Sequence, residues 1–265
     1  MRRMRILWYV SGLILLQIAL AAQPVLGQED PGNDPEETKF FQLFPPPEAQ
    51  EQKHSAGGQF LRDIWTDQKA IWTSPFRMNR KQVLTIALPL AAATAGLIAT
   101  DSKTADYLPN TSDQIRWSQR VSSFGAVYTL GIITGGMLVG GKVIHRPDYS
   151  HVGRISAEAL VSALITNYAL KAITQRERPD QGNGDGRFWV GGQSFPSGHA
   201  MTSWAVAIAL ARNPKCPRWL AYTSYAMATI VSLSRWSAHK HFPSDILVGA
   251  VFGGLIGNYV ARRPR

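Results

Sequence analysis

The sequence is short of cysteine: among 265 residues, Cys216 is the only one. A single thiol cannot form a disulfide within one chain or supply a thiolate metal site. Folds held together by disulfides or by thiolate-bound metal are therefore excluded. Zinc-finger spacings and aromatic–basic nucleic-acid motifs are also missing. Lys and Arg outnumber Asp and Glu by 28 to 18, giving a formal charge of +10. With nucleic acid set aside, this charge favours anionic lipid or phosphorylated substrates as partners.

Residues 1–27 have the pattern of a signal peptide or an N-terminal anchor. Arginines at positions 2, 3 and 5 precede an apolar run over 6–22, and small residues follow. The run is close to the shortest that spans a membrane, so cleavage and retention both stay open. Export is expected in either case.

Two further segments precede the main body of the chain. Residues 28–58 are polar, acidic and proline-rich, a composition that predicts a disordered linker. Residues 59–82 contain four aromatic residues among charged ones, which predicts an amphipathic segment with a helix ending near Pro75. That segment either packs on the body of the protein or lies in a membrane interface.

The rest of the chain, 83–265, predicts an all-α helical bundle. Its apolar segments are rich in Ala, Gly, Ser and Thr, as close-packed membrane helices often are, and about six membrane-embedded helices are expected. A mean hydropathy of −0.10 is low for a polytopic protein, so a soluble bundle is the competing interpretation. The apolar segments are Val83–Thr100, Val121–Gly141, Ile155–Leu170, Ala200–Ala211, Trp219–Leu233 and Ile246–Ala261.

Charge in the connectors predicts the orientation of the bundle. The connectors over 142–154 and 212–218, and the C-terminal residues 262–265, are basic. If the helices span, these connectors fall on one side, and the positive-inside rule makes that side cytoplasmic. The connectors over 171–199 and 235–241 then share the outer face.

Three polar motifs mark the ends of these segments. Lys171 is followed after six residues by Arg178-Pro179, and Pro196-Ser197-Gly198-His199 opens the Ala200–Ala211 segment. Ser234-Arg235 is followed after five residues by His241 and after three more by Asp245. A serine before an apolar run marks the N-terminus of a helix. The first N–H groups there have no partner in the helix and the dipole end is positive, so the two features together form an anion site.

Read in order, the three motifs resemble the signature of the type 2 phosphatidic acid phosphatase family. That family includes soluble bacterial acid phosphatases and shares its site with vanadium haloperoxidases. The resemblance covers 171–245, with all eight functional positions matched. It implies an acid phosphatase/haloperoxidase bundle that hydrolyses a phosphate monoester or diphosphate, with 83–265 as the phosphatase domain.

The resemblance assigns the phosphate-binding residues, and their chemistry agrees. Lys and Arg side chains at helix ends can bring several cations to one anion, and a guanidinium binds two phosphate oxygens at once. Together with backbone N–H groups and a serine hydroxyl, they would stabilise the charge of a phosphoryl transition state. The sequence has no carboxylate cluster for two metals, so metal-independent catalysis without a cofactor is expected. The predicted phosphate-binding residues are Lys171, Arg178, Ser197, Gly198 and Arg235.

The resemblance also assigns the catalytic residues. His241 is the expected nucleophile, forming a phosphohistidine, and Asp245 is expected to fix its tautomer. His199 is expected to protonate the leaving oxygen and then to activate water. His239 lies two residues from His241 but does not match the motif in register.

Other basic residues receive no catalytic role. Arg176 and Arg187 are assigned to solvent or to a substrate headgroup. The run at 145–148, His-Arg-Pro-Asp, imitates the first motif, but Val139 stands where the paired lysine would be.

We therefore expect a phosphatase at the outer face of the inner membrane, with the active site facing the periplasm. Lipid substrates are favoured, among them a phospholipid (phosphatidate or phosphatidylglycerophosphate) and a polyprenyl diphosphate. The alternatives are a soluble periplasmic acid phosphatase, a vanadium-dependent haloperoxidase, and a non-catalytic membrane or anion-binding scaffold. The complete site argues against the scaffold.

Overall fold

The computed structural model describes residues 56–105, 107–214 and 216–263. This part of the chain is helical and contains no strand, so the all-α prediction is confirmed. The predicted signal peptide or anchor at 1–27 lies outside the described residues, as does the predicted linker up to residue 55. Residues 56–58, assigned to that linker, belong to the first described helix.

The described helices have the following bounds, numbered here in chain order. They are α1 (Ala56–Thr73), α2 (Arg80–Ile98), α3 (Asp101–Ala105), α4 (Ser112–Ser122), α5 (Val127–Val143), α6 (Pro147–Thr174), α7 (Gly198–Arg212), α8 (Arg218–Ser237) and α9 (Pro243–Arg262). A 3₁₀ turn follows α1 at Ser74–Arg77, and α2 contains a π-helical stretch at Val83–Ala87.

The long helices alternate in direction about one common end of the bundle. Helices α2, α6 and α8 arrive at this end, because residues at or just after their C-termini meet there: Asp101 bonds Arg176, and Arg235 belongs to the last turn of α8. Helices α5, α7 and α9 leave from it. All three predicted motifs therefore lie at one end, and the basic connectors over 142–154 and 212–218 lie at the other.

Helix α7 forms the centre of the bundle, since every residue from Ala200 to Leu210 is buried. Its closest neighbour is α9, which presents glycine at every fourth position along the contact. A Cβ atom at Gly253 would lie 2.1 Å from the Met201 carbonyl oxygen, and one at Gly257 would lie 2.3 Å from that of Ala205. Only glycine allows this separation, so these residues fix how α7 and α9 pack.

Helix α1 packs on the body of the protein and runs in the same direction as α6. Asp63 pairs with Arg154 at 2.8 Å, and five residues later Gln68 donates to the Ser162 carbonyl at 3.1 Å. Arg263, just after α9, pairs with Asp67 at 2.6 Å. The opposite face of α1 exposes Leu61 and Trp65, and the 3₁₀ turn after it exposes Phe76. The structure shows this segment packed on the body, and a position of its exposed face in a membrane interface stays a prediction.

Three of the described helical runs are long and apolar enough to cross a membrane: Arg80–Ile98, Ser112–Val143 and Pro243–Arg262. The expectation of about six membrane helices stays a prediction. One predicted segment, Val121–Gly141, is interrupted, because α4 ends at Ser122 and α5 begins at Val127. The intervening backbone packs so tightly that a Cβ at Gly125 would lie 2.3 Å from a methyl group of Val231.

Candidate active site

The first motif lies at the end of α6. Lys171 occupies the last turn, and its ammonium donates to the Gln193 carbonyl oxygen. The helix ends at Thr174, and Gln175 adopts a left-handed backbone with φ 45°. Arg178 therefore lies in the following loop, and the sharp reversal after Thr174 turns the loop back towards α7.

The second motif forms the N-terminus of α7, with Ser197 as its N-cap. The Ser197 amide donates to the Asp245 carbonyl at 2.9 Å, which fastens this turn to the start of α9. Gly198 packs against Asn167, where an added Cβ would lie 2.9 Å from the amide oxygen. The first N–H groups of α7 have no partner within the helix, and its dipole places partial positive charge there.

Three buried polar atoms of the predicted phosphate-binding residues have no hydrogen-bond partner in the described part of the chain. They are Arg178 Nε, Arg235 Nε and Ser197 Oγ. Buried donors are normally satisfied, so orphaned donors on residues of all three motifs indicate a site for an anion. Arg235 is held from its other side, where Nη1 donates to Ser122 Oγ at 3.0 Å.

The cations of the three motifs act on one another, which shows that they converge. Burial is the largest cause that lowers the pKa of Lys171 to about 8, and Arg178 is the next. Burial and then Arg235 lower the pKa of His199 to about 3. The same pKa is also lowered by His241, Lys171 and Arg178. Without an anion to offset these charges, His199 is therefore neutral at physiological pH.

The environment of His241 fixes which ring nitrogen is free. Its Nδ1 lies 2.8 Å from the Ser194 carbonyl oxygen, which can only accept, so Nδ1 carries the hydrogen and Nε2 has the lone pair. Burial lowers the pKa of His241 to about 4, so the ring is neutral. The Asp245 carboxylate lies 3.6 Å from Nδ1, beyond a direct hydrogen bond. It accepts instead from the Ser194 hydroxyl and from the Phe242 amide.

Arg176 is the residue that the sequence interpretation misplaced. It was assigned to solvent or to a headgroup, but it is buried behind the site. Its Nη1 donates to Asp245 at 2.6 Å and its Nη2 to Asp101 at 2.8 Å. The guanidinium packs against the rings of Phe188 and Phe242, at 4.8 and 4.4 Å from the ring centroids. Arg176 thus holds the carboxylate of the predicted catalytic triplet in place.

Asp101 completes this arrangement from outside the three motifs. It is the first residue of α3, three residues after α2 ends, and accepts from the Ser244 hydroxyl as well as from Arg176. Burial raises the pKa of Asp101 above its usual value, against the opposing effects of Ser244 and Arg176. The sequence signal that could have found it is an acidic residue at the end of an apolar helix, because such a residue needs a buried partner.

The remaining basic residues are placed around or away from this site. Lys240 pairs with Asp180 and so links the loops of the first and third motifs. The ring of His239 faces the Pro109 carbonyl at 3.4 Å. The run at 145–148 lies at the opposite end of α6 from Lys171, about 35 Å away at 1.5 Å per residue. Among the described residues, no group of three or more His, Cys, Asp or Glu side chains could hold a metal ion.

Comparison with known proteins agrees with the motif assignment. Residues 153–264 match the model of the PAP2 superfamily. A 66-residue stretch is 36% identical to lipid A 1-phosphatase of Porphyromonas gingivalis, covering 24% of this chain and 15% of that protein. The matched stretch is thus a small part of that relative. No solved structure matches the chain significantly.

A helical bundle with the three predicted phosphate-binding motifs at one end agrees with this family match. The chain contains a PAP2 superfamily domain at residues 153–264, and the resemblance seen in the motifs is confirmed.

Proposed function

We propose that this chain is a membrane phosphatase that hydrolyses a lipid phosphate, a monoester or a diphosphate, through a phosphohistidine on His241. The observation that carries the proposal is the set of orphaned donors, Arg178 Nε, Arg235 Nε and Ser197 Oγ, at the N-terminus of a buried helix. A tetrahedral phosphoryl group supplies the acceptors that these donors lack. Its negative charge also offsets the mutual repulsion of the cations.

In the first step, His241 Nε2 attacks phosphorus and the bond from phosphorus to the leaving oxygen breaks. The Ser194 carbonyl holds the proton on Nδ1, which keeps the Nε2 lone pair available. The positive charge that develops on the ring is stabilised by the Asp245 carboxylate. His199 delivers a proton to the leaving oxygen, so that a neutral alcohol or a protonated phosphate departs.

His199 must hold that proton when substrate is bound. Burial is the largest cause that lowers its pKa, and the cations that lower it further are the same ones that bind the phosphoryl oxygens. Two negative charges on the substrate offset those cations and therefore raise the pKa of His199. Substrate binding therefore loads the proton donor.

In the second step, water attacks phosphorus and the phosphorus–nitrogen bond breaks. His199, now neutral, takes a proton from the water, and Nε2 recovers its lone pair. Inorganic phosphate leaves and the starting state returns. Lys171, Arg178 and Arg235 stabilise the equatorial oxygens in both steps, which supports catalysis that needs no metal ion.

Three observations support a lipid substrate and a membrane location. Three described helical runs are long and apolar enough to cross a membrane. The site lies at one end of the bundle and the basic connectors lie at the other, so the positive-inside rule favours a site on the periplasmic side of an inner membrane. The relative from P. gingivalis is named for its action on lipid A. These observations favour a lipid substrate over the soluble acid phosphatase alternative.

The test is phosphate release by the full-length protein from a panel of substrates, measured with and without EDTA. The panel contains phosphatidate, phosphatidylglycerophosphate, lipid A, a polyprenyl diphosphate and p-nitrophenyl phosphate. We expect release from one or more of the lipids with EDTA present, and inhibition by vanadate, which mimics the transition state. Activity lost with EDTA and restored by magnesium would contradict metal independence, and release from the soluble ester alone would contradict the lipid assignment.

A further inference from the structure

The loop between α6 and α7 carries an apolar protrusion beside the anion site. Trp189 and Val190 form its tip, with 75% and 49% of their surface exposed. Ile173, in the last turn of α6, is 59% exposed. We call these three residues the apolar rim. No step of the proposed reaction uses them.

The backbone holds the rim outward. The Trp189 amide donates to the Thr174 carbonyl at 3.0 Å, and the Val190 amide donates to the Gln175 carbonyl at 3.2 Å. Trp189 has φ 60°, a left-handed conformation that is uncommon for a bulky side chain. The ring of its neighbour Phe188 lies 5.8 Å from the Trp189 ring, between centroids, and packs against Arg176. The loop thus packs one aromatic residue against Arg176 and leaves the next exposed.

The apolar rim and the anion site are both supported by the last turn of α6. Thr174, which anchors Trp189, also donates to the Phe195 carbonyl at 2.7 Å, in the turn that leads to Ser197. Lys171, one turn earlier on α6, donates to the Gln193 carbonyl in the segment that follows the rim. The rim therefore adjoins the anion site.

The rim also lies at the depth where the apolar helices end. Helix α2 ends three residues before Asp101, and α9 begins one residue before Ser244. Both of these residues bond Arg176, which packs against Phe188 beside Trp189. The ends of membrane helices mark the boundary between hydrocarbon and water, and tryptophan is enriched at that depth because one end of its ring is apolar and the other hydrogen-bonds.

We propose that the apolar rim inserts into the lipid leaflet on the site's side of the membrane and contacts the hydrocarbon of the lipid whose phosphate is cleaved. The occupant is lipid, because the rim adjoins a phosphate site at the level where two candidate spans end. The rim then selects substrates by their chains, whereas the cations select them by their phosphate. The kinetic consequence rests on the proposed function, but the insertion itself does not.

The kinetic test compares Trp189→Asn with Trp219→Asn. Asn accepts the left-handed backbone, so the first variant removes the ring without adding backbone strain. Trp219 is a matched control, since it is 67% exposed but lies at the start of α8, at the opposite end of the bundle from Arg235. For whichever lipid of the panel is hydrolysed, we expect Trp189→Asn to lower kcat/KM about tenfold, the loss that follows from one buried apolar side chain. The same variant should change kcat/KM for p-nitrophenyl phosphate by less than about twofold. Trp219→Asn should leave kcat/KM unchanged for both substrates.

The outcomes of this comparison are distinct. Equal loss with both substrates would show that Trp189 supports the site and would overturn the proposal. No loss with either substrate would overturn it as well. A change in oligomeric state with Trp189→Asn, seen by sedimentation in detergent, would assign the rim to a second copy of the chain and would also overturn it.

A second measurement reads insertion without any activity. The protein is placed in vesicles of phosphatidylcholine and phosphatidylglycerol brominated at shallow chain positions, and the quenching of tryptophan fluorescence is compared with that of Trp189→Phe. We expect the fluorescence component removed by this substitution to be quenched by shallow bromines. If that component is unquenched, the rim is not in lipid. If it is quenched but no substrate is hydrolysed, the proposed function fails and the membrane contact stands.

Discussion

Arg176 and Asp245 form an ion pair that is buried on both sides, with 2.6 Å between Nη1 and Oδ1. Asp101 binds the other edge of the same guanidinium at 2.8 Å. Two carboxylates thus share one guanidinium, and the Asp245 carboxylate supplies negative charge beside His241. That charge favours a positive imidazole ring, which the proposed attack on phosphorus creates.

The first prediction concerns this ion pair. Replacing Arg176 with Ala leaves two carboxylates buried without a counter-charge, and the expected loss in free energy of unfolding is about 3–5 kcal/mol. Thermal unfolding in detergent measures it. The control is Arg187→Ala, which removes an arginine that is 60% exposed and should change stability by less than about 0.5 kcal/mol. Adding Asp101→Asn to Arg176→Ala should recover part of the loss, whereas equal stability of Arg176→Ala and the parent would refute the role of the pair.

The second prediction separates the two histidines. His241→Ala should form no phosphoenzyme with any substrate, because it lacks the attacking Nε2. His199→Ala should fail with lipid phosphates, whose alcohol needs a proton, but should still be phosphorylated by p-nitrophenyl phosphate, whose leaving group needs none. Acid-labile, base-stable label mapped to residue 241 checks this assignment. Label on His239 would disprove it.

The third prediction concerns the two arginines with orphaned donors. Lysine in place of Arg178 or Arg235 keeps the charge but loses the two-pronged contact with phosphoryl oxygens. We expect transition-state binding to weaken by about 2–4 kcal/mol, measured as kcat/KM. Arg116→Lys, in an exposed ion pair with Asp113, is the matched control and should leave kcat/KM unchanged. Full activity in both site variants would make these arginines structural.

The fourth prediction is a dependence on pH. Lys171 binds phosphate only as a cation, and its pKa is lowered to about 8 by burial and by Arg178. As pH rises through about 8, the free enzyme loses this charge, so kcat/KM should fall on the alkaline side. The profile of kcat should fall at higher pH, because bound phosphate raises the pKa of the lysine. Lys171→Arg should shift the alkaline limb of kcat/KM upwards, and an unshifted limb would assign it to another group.

The motifs could be predicted from the sequence because each is local. The residues of each motif are close in the chain, so residue type and spacing indicate their chemistry. The pairs are Lys171 with Arg178, Ser197 with Gly198, and His241 with Asp245. That they meet at one end of the bundle was also predictable from the alternation of apolar segments. The fold class followed from the same alternation.

Arg176 could not be placed in this way, because its partners lie 75 residues before it and 69 after it in the chain. A charged residue near a motif is usually solvated, and only the buried carboxylates of Asp101 and Asp245 reverse that expectation. Helix α1 was ambiguous for the same reason, since Asp63 meets Arg154 only in the folded chain. The direct partner of His241 was missed because it is a backbone carbonyl, which residue identity does not reveal.

The glycines of α9 have a consequence for how the catalytic distance is set. Gly249, Gly253 and Gly257 recur at every fourth residue, and each faces the backbone of α7 too closely for any side chain. If α9 slid along α7 by less than one turn, Cβ atoms of α9 would meet the backbone of α7. The glycines therefore fix the register between the two helices. The next permitted position is about one helical turn away, roughly 5–6 Å. The predicted proton donor His199, on α7, and the predicted nucleophile His241, just before α9, are therefore held at a separation that the packing of these two helices sets.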